Sequence, residues 1–210
     1  PLPADRMSSM EALLVAGVAG VAGITILYIQ FNAYAALFSA IALLSYAFIY
    51  TPLKRFSPIA VFVGAIPGAL PVLIGWVSAT GNITYAALVL FGIQFMWQFP
   101  HFWAIAWVGY DDYMKAGYKL LPSSEGRTKA SALQNIIYIL ALIPISLLPY
   151  FFKQTGIVSA IIVTVCGFVF LYQSINLFRN CDIPSAKKLM FGSFLYLPIV
   201  QLALYFDRLS

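Results

Sequence analysis

Seven apolar runs, each close to the length needed to cross a bilayer, fill this chain and leave little else. A hydrocarbon core of about 30 Å takes roughly 20 residues of helix. The runs cover residues 10–29, 33–50, 58–80, 83–108, 132–152, 155–177 and 188–206. In hydrocarbon every backbone N–H and C=O has to be satisfied within the segment, so runs of this length fold as helices. Only 9% of the 210 residues are charged, against about a quarter in a soluble domain. The expected fold class is all-α, a polytopic transmembrane helix bundle, in a single membrane-embedded domain over residues 1–210. The second run is the shortest at 18 residues, which leaves its ends open.

The cations support the count of spans. With the N-terminal segment on side A, that side holds Arg6, Lys54, Arg55, Lys115, Lys119, Arg127, Lys129, Arg179, Lys187 and Lys188. Side B holds Lys153 and Arg208. A missed span would scramble this asymmetry. By the positive-inside rule side A is cytoplasmic, and Ser210 at the C-terminus lies outside. The net charge of +5 sits in short loops between apolar runs, so it is an orientation signal and not a nucleic-acid footprint. Cys166 lies in an apolar run and Cys181 in a loop, which gives neither a disulfide framework nor metal-ligand spacing. The opening PLPADRMSS has no initiator Met and reads as an interior loop.

Punctuation adds detail. Ser57-Pro58 reads as an N-cap followed by proline at the first helical position, and Pro184-Ser185 plays a similar part before the last span. Ala16, Ala19, Gly20 and Gly23 make two small-xxx-small pairs for close helix contact. Pro144, Pro149 and Pro198 read as ordinary membrane-helix prolines. Pro67, Pro71 and Pro100 stay open between that and a site role. The first two would open their helix around Gly64, Gly68 and Gly75.

The chemistry concentrates in residues 96–122, MWQFPHFWAIAWVGYDDYMKAGYKLLP, which begin as an apolar helix and end in a charged loop. They hold the one histidine, His101, and Trp97, Trp103 and Trp107 of the four tryptophans. Counted along an unbroken helix, Gln94, Gln98 and His101 share a face with Asp112. Such a stripe is costly in lipid unless it faces a partner or a wet cavity. The Asp111-Asp112 pair suits a Mg²⁺ ion that in turn holds phosphate oxygens, or is a solvated loop charge. Lys54-Arg55 suits a phosphate, or anchors the helix end at the headgroups. His101 could hold a metal, meet a cofactor, move a proton or bond a neighbouring helix. The tryptophans could form an interfacial belt. Gln134, Asn135, Gln173 and Asn176 could line one cavity with Gln98, or bond helix to helix.

Residues 50–122 resemble the protohaem IX farnesyltransferases, or haem O synthases, of the intramembrane (UbiA-type) prenyltransferase superfamily. Four blocks carry the resemblance in order: YTPLKRFSP, GAIPGALPVLIGWVSATG, LFGIQFMWQFPHFWAIAW and DDYMKAGYKLLP. PLPADRMS is similar to a further segment of that family, and the likeness runs more weakly to the C-terminus. It implies nine spans, of which seven are present here, with the first two and a first Asp-rich motif preceding residue 1. These residues alone are then expected to be inactive. The wider superfamily places a second Asp four residues into the later motif. Lys115 and Ala116 stand there instead, so Asp112, helped by Asp111, is the metal ligand that carries over.

The implied reaction moves the farnesyl group of farnesyl diphosphate to the 2-vinyl group of haem B, giving haem O and diphosphate. Haem B is then a substrate, and Mg²⁺ is the expected cofactor. Asp112, Asp111, Lys54, Arg55 and Tyr50 are the expected catalytic set. His101, Gln98, Trp97, Trp103, Tyr113 and Lys115 are the expected substrate contacts, His101 on the haem side. The expected location is a bacterial plasma (inner) membrane, with site loops cytoplasmic and the bilayer as surroundings. Association with haem A synthase or oxidase assembly is not readable from the sequence. Two other classes stand beside this one. An aromatic prenyltransferase acting on a quinone or chlorophyll precursor would share the Asp and Lys logic, but not PHFWA followed by DDYMKAGYKLLP. A transporter or non-catalytic membrane protein would need polarity through the full depth, whereas the polar features cluster on side A.

Overall fold

The computed structural model describes residues 6–123 and 125–209, and it is helical throughout its spans. Residues 1–5, Ser124 and Ser210 lie outside the described residues, and with them most of PLPADRMS and the C-terminal residue. The membrane-length helices are α1 (Ser9–Gln30), α2 (Ala33–Leu53), α3 (Ala60–Thr80), α4 (Tyr85–Val108), α6 (Lys129–Phe151), α7 (Ile157–Asn180) and α8 (Ile183–Phe206). A short helix, α5 (Tyr110–Lys115), follows α4 after a break at Gly109.

Each start has a local cause. Ser8 and Glu11 form a reciprocal capping box on α1. Asn32 caps α2 through Oδ1, and its Nδ2 donates to the Val77 carbonyl at 2.7 Å, which ties the α1–α2 corner to the far end of α3. Thr84 and Thr128 cap α4 and α6. The last helix begins five residues earlier than its apolar run suggests. Asp182 is its N-cap, Pro184 and Ser185 lie inside the first turn, and Lys187 and Lys188 ride on the helix. Cation stems can lie along apolar surface with their heads in water, which is why hydropathy missed this turn. Ser57-Pro58 likewise precedes the helix as a turn: Ala60 N–H donates to Ser57 O and Val61 N–H to Pro58 O, and α3 starts at Ala60.

The second span reaches 21 residues because it runs through a π-helical turn, Ser45–Tyr50, into Thr51–Leu53. Ser45 Oγ donates back to Ile41 O at 2.5 Å, a bond that loosens the helix at that point. Pro67 and Pro71 leave α3 continuous, contrary to the opening expected around them.

The central element is α4, which packs against α3, α6 and α8. Its buried side chains include Ile93, Phe99, Trp103 and Trp107. Phe99, Trp103 and Tyr138 of α6 form an aromatic knot with centroids 4.4–5.6 Å apart. The first helix is peripheral. Gly20 meets Leu43 of α2, while Gly23 has open space beside it, so one of the two expected small-residue contacts is used.

Candidate active site

The loops after α2 and after α4 converge. Lys119 N–H donates to the Lys54 carbonyl at 3.1 Å, joining the LKR turn to the YKLL segment. Between them and the ends of α3 and α4 lies a cavity of about 510 Å³. Tyr46, Tyr50 and Lys54 form one wall. Their spacing of four residues keeps them on one line of a helix that the π turn has rewound. Lys54 Nζ sits 4.7 Å from the Tyr118 ring centroid and 5.7 Å from that of Tyr50, a cation held over ring faces. Tyr113, Tyr118 and Leu120 form the opposite lip.

Two glycines shape the floor. A Cβ at Gly64 would stand 2.7 Å from the Tyr50 ring, and one at Gly68 would collide with the Gln98 side chain. Their absence lets Tyr50 and Gln98 lie flat against α3. Gln98 Nε2 donates to Ala65 O at 2.9 Å and to Gln94 O at 3.3 Å, so this polar group is satisfied inside the membrane. Phe102, Ile105 and Val61 complete an apolar interior.

The carboxylates stand beside the cavity and do not line it. Asp111 Oδ2 pairs with Arg127 Nη1 at 3.1 Å, and Asp112 Oδ1 with Lys115 Nζ at 3.2 Å. The side chain of Asp112 is 86% exposed. Arg127 also donates from Nε to Trp107 O at 2.8 Å and from Nη2 to Val108 O at 3.3 Å. It caps the open carbonyls at the end of α4 and fixes Asp111 at the start of α5. Among the described residues no third acidic, histidine or cysteine side chain joins the pair. Mg²⁺ is commonly held by one or two carboxylates plus substrate phosphates, so two exposed adjacent aspartates at a cavity mouth fit that ion.

The expected site residues thus fall into three groups. Tyr50, Lys54, Gln98 and Tyr113 line one cavity. Arg55, Asp111, Asp112 and Lys115 lie at its rim or outside; Arg55 faces a neighbouring surface groove. Trp97, His101 and Trp103 are placed differently from the expectation, in helix–helix contacts away from the cavity wall. His101 stacks on Trp97 with centroids 4.3 Å apart, and its Nδ1 is 2.8 Å from Ser193 Oγ on α8. Ser193 Oγ also lies within hydrogen-bond reach of Met190 O. Trp97 Nε1 donates to Ser193 O at 2.9 Å. Trp103 belongs to the Tyr138 knot. The stripe through Gln94, Gln98 and His101 therefore divides between α3 and α8, and the break at Gly109 removes Asp112 from it.

Nor do the polar residues of α6 and α7 join Gln98. Asn135 bonds within its own helix to Ser131 O, and Gln173 lies against Gly192 of α8. Tyr46, Tyr118, Gly64, Gly68 and Arg127 were not singled out as site residues from the sequence. The four-residue spacings 46/50/54 and 64/68 were the available signal.

The model of the UbiA prenyltransferase family matches residues 1–197. A protoheme IX farnesyltransferase of Cytophaga hutchinsonii is 49% identical over 209 residues, covering 100% of this chain and 73% of that one. One of Christiangramia forsetii is 43% identical over 212 residues, covering 99% and 70%. The mitochondrial protoheme IX farnesyltransferase of Arabidopsis thaliana is 35% identical over 214 residues, covering 100% and 49%. A solved structure of digeranylgeranylglyceryl phosphate synthase in membranes superposes with a TM-score of 0.81 at 21% identity, over 99% of this chain and 72% of that one. That likeness speaks for the fold.

Proposed function

This chain belongs to the UbiA prenyltransferase family, and on that footing we propose that it transfers the farnesyl group of farnesyl diphosphate to the 2-vinyl group of haem B, giving haem O and diphosphate. The acceptor follows from four relatives at 42–49% identity, each a protoheme IX farnesyltransferase. The observation that carries the mechanism is the convergence of Lys54 and the Tyr113–Leu120 lip on one aromatic, largely apolar cavity.

In the reaction the C1–O bond of farnesyl diphosphate breaks and the electron pair leaves with diphosphate. The terminal vinyl carbon bonds to farnesyl C1. Water adds at the inner vinyl carbon and loses a proton, which completes the hydroxyethylfarnesyl group. Lys54 answers the charge of the departing diphosphate, with Arg55 at the rim. The faces of Tyr46, Tyr50, Tyr113 and Tyr118 surround the allylic cation, and Phe102 and Ile105 keep water from it until the vinyl group has attacked. Mg²⁺ held by Asp112 and Asp111 would neutralise diphosphate charge at the mouth of the cavity. Arg127 holds Asp111 in place at the start of α5. The location that fits is a bacterial plasma membrane with both loops cytoplasmic, as the cation asymmetry indicates.

The test is direct. The full-length protein in detergent, given haem B, farnesyl diphosphate and Mg²⁺, forms a product with the mass of haem O. No product from haem B, with prenylation of an aromatic quinone precursor supplied in its place, would move the chain to the sister class.

A further inference from the structure

A second cavity, of about 1040 Å³, opens at the opposite end of the bundle. It continues the first along the same two helices. On α3 the first cavity ends at Gly68 and the second begins at Pro71, three residues or about 4.5 Å of rise further. The boundary between them is a run of amides. Gln98 lines the first cavity and donates to Gln94 O; Gln201 lines the second and donates to Gln94 Oε1 at 3.3 Å.

The far end of the second cavity is polar in a way that a farnesyl chain does not need. Thr155 is 5% exposed, and its hydroxyl has no hydrogen-bond partner. The indole N–H of Trp76 is buried and also has none. Both residues line the cavity, and a buried donor left alone is expensive. Arg208 lies beside them with its guanidinium 4.3 Å from the Tyr205 ring centroid. It makes no ion pair among the described residues. The adjacent carboxylate is already engaged, since Asp207 Oδ2 accepts from Ser159 N–H at 2.7 Å and caps α7. Backbone pairing holds Arg208 in place: Thr155 and Arg208 form an antiparallel bridge, and Leu209 N–H donates to Gln154 O at 2.9 Å.

One fixed cation and two unpartnered donors at the end of an apolar chamber suit an anionic head on an apolar body. We propose that this second cavity seats the acceptor porphyrin, with its carboxylate edge on Arg208, Thr155 and Trp76 and its vinyl edge directed at the first cavity. The assignment rests on the farnesyl-to-haem reading. It brings the two substrates in from opposite ends. The diphosphate of the donor sits at Lys54 and the carboxylates of the acceptor at Arg208, and farnesyl C1, the carbon that carries the diphosphate, meets the vinyl group between them, at the level of Gly68 and Gln98. From Thr80, which lines the outer end, to Gly68 the helix rises about 18 Å. A phospholipid phosphate shares the same head chemistry, so the experiment has to separate the two.

Haem B and haem B dimethyl ester, whose carboxylates are blocked, are titrated into full-length wild-type protein and Arg208→Gln, with farnesyl diphosphate binding measured in parallel. Arg208→Gln weakens haem B by about tenfold, the worth of one charge-assisted contact. It leaves the dimethyl ester and farnesyl diphosphate unchanged. Thr155→Val gives a smaller loss of the same pattern. Equal affinity of wild type for haem B and its ester overturns the proposal, even if the variants fail to fold. So does haem binding indifferent to Arg208→Gln while co-purified anionic phospholipid is lost, which would make the cavity a lipid site. A wild type that binds neither form of haem overturns the functional reading itself.

Discussion

His101 shows how a polar side chain in a membrane helix can be satisfied by its neighbours. Its ring is stacked on Trp97 and bonded to Ser193, whose carbonyl also receives the Trp97 indole N–H. These contacts join α4 to α8. His101→Ala is therefore expected to lower haem and farnesyl diphosphate binding together, with reduced folded yield, at a cost of about 1–3 kcal/mol for the orphaned partner and lost packing. Selective loss of haem binding would restore a direct role. Gly68 gives a complementary case. Gly68→Ala puts a methyl into the Gln98 amide and breaks its bond to Ala65 O. About 1–3 kcal/mol of stability should go with it, together with turnover. Gly75→Ala has open space around it and should be neutral or slightly stabilising, as helix propensity favours alanine. Thermal melting in detergent separates the two.

At the scale of elements, the deciding feature is the end of α4. Arg127 meets the carbonyls of Trp107 and Val108 and the carboxylate of Asp111 with one planar fork. Arg127→Ala should cost about 1.5–3 kcal/mol and free α5. Arg127→Lys should rescue little, because an ammonium does not reproduce the fork. Hydrogen exchange of residues 109–117 reads this: faster exchange in both variants is expected, and native protection in Arg127→Lys would refute the fork argument. This element also marks where the sequence stopped being informative. The seven spans were legible because hydrocarbon imposes length and apolarity on each of them, and the convergence of two side-A loops was legible from where the charges lie. The break at Gly109 was not. It depends on an arginine in another loop, and counting straight through it placed Asp112 on the face of His101. The Tyr46–Tyr50–Lys54 wall was hidden for a related reason, since a π turn changes the register that a regular helix would give. The division of Gln98 and His101 between α3 and α8 needed the neighbours' positions, which no single helix encodes.

At the scale of the molecule, the chain is a multi-pass membrane bundle with cavities stacked along α3 and α4. The loop cations predict its orientation, with the loops after α2 and α4 on the cytoplasmic side. In sealed cells, a membrane-impermeant thiol reagent should label a cysteine placed at Asn82, in the α3–α4 loop, and leave one at Glu125 unlabelled; the reverse pattern would invert the topology. In the proposed reaction the loops after α2 and α4 jointly hold the diphosphate. The measurement that bears on it most directly is steady-state haem O formation by full-length Lys54→Gln, with each substrate varied in turn. Lys54 is the cation inside the cavity. The KM for farnesyl diphosphate should rise by about tenfold or more, the worth of one charge-assisted contact, while the KM for haem B is unchanged. An unchanged KM for farnesyl diphosphate together with normal turnover would contradict it.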